Sequence, residues 1–379
     1  RDLRMSRGLG DVYKRQVKFS LKKIVLALGL GAFVAAGPSV VVTPVQAATT
    51  QKAVKAGVKK TSVRKTVKKT TSVKRTNSRK TLGRAKHAVK KSSKKPRRQA
   101  RRRVTAPSQA TLAGLRQTPD LLSLGSSVAL AVDQDTGEEL FSKNAGVELP
   151  IASVTKLMTA LVIAESGLQM NERLRISRED YVRSRARSKL RSGMRMTRGA
   201  VLKAALMSSD NRAATALART YPGGRKAFVM KMNETAERLG MTDSVFADPS
   251  GLDNRNHSTA RDLAKLVAEA HKHEVIRESS TLQFASVPAG RRQLKLVTTN
   301  RLIGNPDWNI GVQKTGFTTA AGRCMVVQSE FADRRVVMVL LDSPNSAQRA
   351  ADMQTMRTFV ENEDHINEQF DSMHPYEVF

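Results

Sequence analysis

Residues 153–156 read Ser-Val-Thr-Lys, a combination that can support acyl transfer to a serine. Side chains three positions apart share one face of a helix, so Ser153 and Lys156 can meet. A buried lysine loses its proton more readily than an exposed one, and its neutral amine can accept the proton of a serine hydroxyl. The pair is therefore a candidate nucleophile and general base.

The segment around this pair, residues 151–166, predicts one amphipathic helix. Leu157, Ala160 and Ala164 fall on the same face as the pair, which places the lysine against the interior. The simpler alternative is a lysine whose methylene stem lies along apolar surface while its amine reaches water. The spacing alone does not decide between the two, because Ser-x-x-Lys also occurs in basic stretches before residue 100.

Two further motifs follow in order along the chain. Ser-Asp-Asn begins at Ser209, 56 residues after Ser153, and Lys-Thr-Gly begins at Lys314, 105 residues further on. Each motif is short enough to arise by chance. All three together, each near a predicted boundary between elements, are typical of serine acyl-transfer enzymes. The alternative for Ser209 and Asn211 is a pair that caps a helix.

The elements that must position these motifs follow the order strands, helices, strands. Apolar alternation predicts strands on either side of a turn at 135–137, and further strands at 293–299, 322–330 and 334–342. Helical periodicity predicts helices at 199–207, 212–220, 224–240, 259–273 and 347–360. One sheet must therefore gather strands from both ends of the folded part, around a helical cluster.

On these motifs, the sequence resembles the low-molecular-mass penicillin-binding proteins, which are secreted D-alanyl-D-alanine peptidases of peptidoglycan. The resemblance covers roughly residues 121–360 and includes "SDNRAA", "DPSGLD", "STARDLA" and "KTGFTTAAGRC". It implies an α/β (α+β) fold of the penicillin-binding-protein and β-lactamase type, with an antiparallel sheet. It also implies peptidoglycan stem peptides as substrate and β-lactams as covalent inhibitors.

Within that family the sequence most resembles the D-alanyl-D-alanine endopeptidases. Only residues 317–379 follow the Lys-Thr-Gly motif. Carboxypeptidases of the group usually add a second β-rich domain and a C-terminal amphipathic membrane helix, and we expect neither here. We therefore expect cleavage of D-alanyl cross-links, with D-alanyl-D-alanine carboxypeptidase as the alternative.

The resemblance also implies roles for individual residues. Ser153 is expected to attack the D-alanyl carbonyl, with Lys156 as general base and Ser209 as a proton relay toward the leaving amine. The substrate-binding residues are expected to be Asn211, Lys314, Thr315, Gly316, Phe317 and Thr318.

These six binding residues are expected to act in different ways. Asn211 would hydrogen-bond the substrate backbone, while Lys314 supplies positive potential. Thr315 and Thr318 would hold a carboxylate, and Gly316 would let the substrate lie along the strand edge. The oxyanion hole would consist of the backbone N–H groups of Ser153 and Phe317.

The N-terminal third of the chain differs in composition from the rest. Residues 1–16 fit no signal pattern and are expected to be a scar, whereas 17–47 predict a signal peptide cleaved after Ala47, with an uncleaved membrane anchor as the alternative. Residues 48–117 predict a disordered basic linker, with about 23 Lys and Arg and no acid between 51 and 104. That tract supplies about two thirds of the formal net charge of +33. The catalytic domain is expected at 118–379.

The predicted signal peptide indicates where the protein is located, and this location determines which partners the basic linker can meet. Basic tracts usually bind nucleic acid. Export across the inner membrane to the periplasm or cell envelope makes nucleic acid an unexpected partner and favours anionic membrane or envelope polymers. The alternative is a solvated spacer without a partner. Cys324 is the only cysteine and is expected to be a small buried residue on a strand.

Other enzyme classes find less support in the sequence. A Ser-His-Asp hydrolase would be expected to show a Gly-x-Ser-x-Gly elbow, which is absent. His271 and His273 lack the spacing of a helical zinc site, and no His-Glu-x-x-His occurs, so we expect no metal and no cofactor.

A serine β-lactamase shares all three motifs. Class A enzymes place a glutamate between the second and third motifs, but this interval contains no Glu-x-x-Leu-Asn. The non-enzymatic alternative is a basic envelope-binding protein that uses a peptidase domain as a scaffold. The intact Ser153 and Lys156 argue against it.

Overall fold

A computed structural model describes residues 106–331 and 334–373 of the chain. Its strands are β1 Val128–Asp133, β2 Glu139–Lys143, β3 Leu149–Pro150, β4 Arg173–Arg175, β5 Arg195–Thr197, β6 His257–Ser258, β7 Phe284–Ala289, β8 Arg292–Val297, β9 Asn309–Thr318, β10 Gly322–Phe331 and β11 Arg334–Ser343. Its α-helices are α1 Gln109–Leu112, α2 Lys156–Glu165, α3 Arg198–Met207, α4 Asn211–Arg219, α5 Gly224–Arg238, α6 Ala260–His271, α7 Glu274–Thr281 and α8 Ser346–Met373. The predicted scar, the signal peptide and the basic tract lie outside the described residues.

The main sheet has the strand order β2-β1-β11-β10-β9, and every neighbouring pair is antiparallel. Strands from the start and the end of the folded part therefore lie side by side, as the sequence predicts. Among the described residues β9 pairs only with β10 in this sheet, so its other edge is free of strand partners.

The sheet is buried on both faces. Alternate residues of its central strands enter two different apolar clusters, as the two-residue period of a strand requires. On β1, Leu130 contributes to the cluster shared with the helices α2 to α7, and Ala131 to the cluster beneath α8. The molecule is thus a three-layer arrangement of helices, sheet and closing helix, which confirms the predicted mixed fold.

Helix α2 differs from the single amphipathic helix that the sequence predicts at 151–166. The first turn, Ala152–Thr155, is a 3₁₀ helix, and the α-helix begins at Lys156. Every residue from Lys156 to Ile163 is buried. A helix that is apolar all round belongs in the centre of a fold rather than at its surface. This central position explains how a lysine comes to be enclosed on all sides.

The break between α3 and α4 falls where the sequence predicts it. Neither Ser209 nor Asn211 caps the helix, which was the alternative for these two residues. The side chain of Asp210 accepts from the N–H of Ala213 and serves as N-cap of α4. Ser209 and Asn211, which flank it, are therefore free to face the site.

Several elements differ from the sequence expectation. Lys-Thr-Gly was predicted between elements, but it lies inside the long strand β9, where polar residues at 309, 313 and 314 obscure the alternation. The fold includes α1, so it starts before residue 118, and α8 continues to Met373. Helix α7 and strand β7 were not predicted. No helix among the described residues is long and apolar enough to cross a bilayer.

Candidate active site

Ser153 lies in the 3₁₀ turn before α2, where the backbone is held in an uncommon conformation. The preceding residue, Ala152, has φ of 47°, which side-chain-bearing residues rarely adopt. Gly251 packs against it so closely that a Cβ on Gly251 would lie 1.7 Å from the Ala152 carbonyl oxygen. Thr155 also donates to that carbonyl, at 2.8 Å. These contacts fix the turn that presents the serine.

Lys156 is fully buried, and its amine has three hydrogen-bond partners among the described residues. Nζ lies 2.8 Å from Ser153 Oγ, 2.7 Å from Asn211 Oδ1 and 2.6 Å from the Ser250 carbonyl oxygen. Burial lowers the pKa of Lys156 to about 7, against the opposing effect of the negative charges of Asp248 and Asp210. The amine is therefore divided between its charged and neutral forms near neutral pH.

The three partners direct the proton transfer. A neutral amine has two N–H donors and one lone pair. The Asn211 amide oxygen and the Ser250 carbonyl can only accept, so they take the two donors. The lone pair is left facing Ser153 Oγ, the one partner with a proton to give. Neutral Lys156 is thus oriented as a base for this serine.

A second serine and lysine pair lies beside the first. Ser209 has φ of 54°, and its hydroxyl accepts from Lys314 Nζ at 3.0 Å. Lys314 also donates to the Thr315 carbonyl at 2.7 Å and is fully buried. Burial lowers the pKa of Lys314 well below its usual value, and the charges of Lys156 and Arg349 lower it further. The two buried lysines therefore resist simultaneous protonation.

Asn211 links the two halves of the site. Its amide oxygen accepts from Lys156, and its Nδ2 donates to Ser184 Oγ at 3.1 Å. Ser184 belongs to the long segment between β4 and β5. No sequence pattern in this segment predicts its contact with the Ser-Asp-Asn motif at residues 209–211. Asp210 holds the same segment through Ser188 Oγ, at 2.8 Å from each carboxylate oxygen.

Strand β9 forms the opposite wall of the site. A Cβ on Gly316 would lie 3.0 Å from the backbone nitrogen of Ser153, so only glycine lets the strand approach the serine this closely. Thr315 Oγ1 lies 2.7 Å from Thr299 Oγ1, and Thr318 Oγ1 accepts from the N–H of Ala321. Phe317 is half-exposed, with the guanidinium of Arg323 stacked 4.7 Å from its ring centre.

The loop with the sequence "DPSGLD", residues 248–253, had no predicted role, but it closes the site beside Lys156. The Asp248 carboxylate accepts from the backbone N–H of Ser250 and of Gly251 and from the side chain of Asn256. The loop thereby presents the Ser250 carbonyl to Lys156. A turn built on an aspartate, with glycine where φ is positive, is the signal that could have identified this support.

The described residues contain one cluster with metal-ligand chemistry, at Glu165, Glu269 and His273, whose ligand atoms lie within 4.8 Å of one another. Arg238 donates to Glu165 at 2.6 Å and lies 3.8 Å from Glu269. Lys272 also pairs with Glu269, at 2.8 Å, so the carboxylates of this cluster belong to an ion-pair network. Cys324 is buried on β10, as predicted, and burial raises the pKa of its thiol to about 12.

An antiparallel sheet against a helical cluster, with a serine and a buried lysine at the junction, defines an enzyme of the serine acyl-transfer class. A family model described as D-alanyl-D-alanine carboxypeptidase matches residues 115–345, more than half of the chain. The chain belongs to this family of serine peptidases.

Curated relatives and solved structures agree with this assignment. The chain is 40% identical over 241 residues to a D-alanyl-D-alanine endopeptidase of Pseudomonas aeruginosa, covering 63% of this chain and 78% of the relative. It is 36% identical over 259 residues to the D-alanyl-D-alanine endopeptidase of Escherichia coli, covering 68% and 84%. Penicillin-binding protein D2 of Listeria monocytogenes, solved with ampicillin bound, is similar with a TM-score of 0.56 and 29% identity, covering 64% of this chain and 99% of that one.

Proposed function

We propose that the protein is a penicillin-sensitive serine endopeptidase that hydrolyses D-alanyl cross-links of peptidoglycan. The observation that carries the proposal is the set of contacts of Lys156 Nζ. Among its described partners the Asn211 amide oxygen and the Ser250 carbonyl can only accept, and Ser153 Oγ is the one that can transfer a proton to it. The endopeptidase names of two relatives support the choice of bond.

In the acylation step, Ser153 Oγ attacks the carbonyl carbon of the D-alanine that forms the cross-link, while Lys156 Nζ takes the hydroxyl proton. The carbonyl oxygen gains negative charge, and the backbone N–H groups of Ser153 and Phe317 would stabilise it at about 3 kcal/mol per donor. The C–N bond then breaks. The leaving amine takes up a proton that passes through the hydroxyl of Ser209, which contacts Lys314. Lys156 gives up the proton it had gained from Ser153 and is neutral again before hydrolysis.

In the hydrolytic step, water attacks the ester on Ser153, and its proton passes to Lys156. The oxygen of the serine then recovers a proton and the D-alanyl carboxylate leaves. No described carboxylate contacts Ser153 or Lys156, because Asp210 and Asp248 use their oxygens on the surrounding backbone and side chains. A β-lactam acyl-enzyme, which retains its leaving group, therefore persists, and the β-lactamase alternative loses its main requirement.

The substrate would lie along the free edge of β9 as an added strand. Thr315 and Thr318 offer hydroxyls to the carboxylate after the scissile bond, and Lys314 supplies positive potential beneath them. Asn211 faces the other side of the substrate. Cleavage of a cross-link needs a cleft that accepts a whole stem peptide as leaving group, whereas a carboxypeptidase needs room for one D-alanine only.

The location follows from the same proposal. Peptidoglycan lies outside the inner membrane, so the enzyme must be exported, which fits the predicted signal peptide at 17–47. The basic tract would then follow the leader in the exported chain and attach it to an anionic membrane or envelope polymer.

The proposal is tested with purified, cross-linked muropeptide dimers and monomeric pentapeptides. We expect higher catalytic efficiency on the dimer, and loss of both cleavage and fluorescent-penicillin labelling in Ser153→Ala. Faster release of D-alanine from the monomer would make the protein a carboxypeptidase. Labelling that survives in Ser153→Ala would place the nucleophile elsewhere.

A further inference from the structure

One segment near the site carries positive charge without compensating acids. Residues 181–195, here called the cationic loop, contain no Asp or Glu, and their exposed cations are Arg183, Arg185, Arg187, Lys189, Arg191 and Arg195. Within the described residues none of the six forms an ion pair. Of the acids just before the loop, Glu172 pairs with Arg198 and Asp180 with Arg219. Glu179 is exposed, and its charge acts on Arg219 rather than in a described ion pair with the loop. The charge of the loop is therefore available to a partner.

The cationic loop is fastened to the active site. Ser184 accepts from Asn211, the residue that also contacts Lys156. Further along, the Ser188 hydroxyl and the Lys189 backbone N–H both donate to Asp210. The inward serines thus hold the site while the alternate cations point to solvent. Anything that binds these cations lies beside the cleft.

The hairpin β7–β8 extends this surface. Its turn and second strand carry three exposed cations, Arg291, Arg292 and Lys295. Gly290 at the turn donates to the carbonyl of Arg195, at 2.9 Å, and Lys189 Nζ donates to the carbonyl of Lys295, at 2.7 Å. The cationic loop and these three hairpin residues therefore form one continuous surface, here called the cationic rim.

Like charges in the rim lower the stability of the fold. Arg175 on β4 is directly opposite Arg195 on β5, and both are exposed. Like charges in directly opposed strand positions destabilise a sheet. No described acid offsets this pair by an ion pair. A bound anion would remove the repulsion, so the arrangement favours a negatively charged ligand.

We propose that the cationic rim is an accessory binding surface for the polymeric substrate, which it recognises through the free carboxylates of stem peptides next to the one being cleaved. This inference rests on the proposed function, because it takes peptidoglycan as the substrate. A polymer that enters the cleft must pass the rim, since the loop is attached to Asn211. A membrane seated on the same surface would instead cover that approach.

The test compares two double variants of the full-length protein. Arg185→Gln/Arg187→Gln removes two rim charges whose side chains make no described hydrogen bond, and Lys231→Gln/Lys272→Gln removes two exposed charges on α5 and after α6. Two rates are measured for each: cleavage of soluble, multiply cross-linked peptidoglycan fragments, and acylation by benzylpenicillin. We expect the ratio of the first to the second to fall roughly fivefold in the rim variant and by less than about twofold in the control.

Charge reversal gives the sharper form of the test. Arg185→Glu/Arg187→Glu should lower the ratio further, and raising the salt concentration should shrink the difference among the proteins. An equal loss of both rates would show that the loop only supports Asn211, and an unchanged ratio would show that the rim does not bind the polymer. Either result overturns the inference. So does loss of binding to phosphatidylglycerol vesicles with fragment cleavage retained, which would assign the rim to a membrane.

Failure of the proposed function would look different. If the unmodified protein is not acylated by benzylpenicillin, the serine peptidase mechanism is wrong. Binding of the fragments to Ser153→Ala chains with and without the rim substitutions then still decides the role of the rim, because that measurement needs no turnover.

Discussion

The buried lysines of the cleft and the cations of the rim are similar in chemistry and opposite in setting. Lys156 and Lys314 have no exposed surface, and burial lowers the pKa of both. The six cations of the loop are all exposed to water and form no described ion pair. Asn211 connects the two groups, because its amide oxygen accepts from Lys156 and its Nδ2 donates to Ser184 of the cationic loop.

This difference shows that the setting of a cation decides its role. An enclosed amine becomes a base because its charge has lost the stabilisation of water. An exposed guanidinium keeps its charge and acts at a distance on an anionic partner. Both settings oppose stability, through desolvation in the cleft and like-charge repulsion at the rim. A sheet and a fully buried central helix provide the rigid frame that tolerates them.

The largest effect is expected from Lys156→Arg, which gives the buried cleft a permanently charged cation like those of the rim. Guanidinium retains its proton and cannot act as a base, so acylation by penicillin should fall at least about a thousandfold. Stopped-flow or gel-based labelling measures it. The matched control is Lys203→Arg on α3, which should retain normal labelling. An active Lys156→Arg enzyme would contradict the assignment of the base.

The next effect concerns the wall of the cleft. Gly316→Ala would place a Cβ 3.0 Å from the Ser153 nitrogen, and we expect acylation to fall about a hundredfold because the oxyanion donors are displaced. Gly199→Ala is the control, since its Cβ would lie no closer than 3.4 Å to the nearest atom, a backbone oxygen. Circular dichroism and thermal melting would show that both variants are folded. Equal activity in both variants would mean that the strand can move away from the serine.

The buried lysine should also make the stability of the fold depend on pH, unlike an exposed cation of the rim. The pKa of Lys156 is about 7 in the folded chain and 10.5 in its ordinary state. Between these values the unfolded chain binds a proton that the folded chain does not, so stability rises with pH through this window. Below about pH 7 both states bind the proton and the desolvation penalty is fully present.

Replacing the lysine should remove this dependence. We expect Lys156→Met to lose the part of the slope that comes from one proton, at most about 1.4 kcal/mol per pH unit between pH 7 and pH 10. Urea unfolding at several pH values, compared with the unmodified protein, measures the difference. Parallel curves for the two proteins would show that Lys156 has an ordinary pKa.

The smallest effect on catalysis is expected from the basic tract. Deleting residues 51–104 should leave the turnover of soluble muropeptides unchanged, because the tract lies outside the matched family region that begins at 115. Binding to isolated sacculi or anionic vesicles should weaken, and binding of the intact chain should fall steeply with salt. Salt-insensitive binding, or lost turnover of small substrates, would argue against this division of roles.

Much of the fold could be predicted because its signals are local. The helices α3, α4, α5 and α6 end within about two residues of their predicted positions, since periodicity and capping residues such as Thr197 and Thr259 mark them. Periodicity did not predict strand β9, because its polar residues serve the site and do not alternate. Only the family resemblance placed Gly316 on a strand edge. The 3₁₀ turn at Ser153 could not be predicted either, because contacts with Gly251, far away in sequence, hold it.

In the candidate site, the reacting residues could be predicted from the sequence and the residues that support them could not. The three motifs identify the residues that the structure brings together around Ser153. Their supports were not predictable from spacing: Ser184 and Ser250 lie in loops, and only the folded chain brings a hydroxyl and a carbonyl of these loops to Asn211 and Lys156. The rim shows the same limit, since the sequence shows the charge of residues 181–195 but not their attachment to the site.

The central claim is that Lys156 is a neutral base near physiological pH, and titration of its amine tests this most directly. Lysine side chains are labelled with ¹³C and ¹⁵N, and the resonance of Lys156 is assigned by its loss in Lys156→Met. Its chemical shift is then followed from pH 5 to pH 11. The structure predicts a midpoint near pH 7. A midpoint near 10.5 would show that Lys156 remains protonated when Ser153 reacts, and would contradict the mechanism.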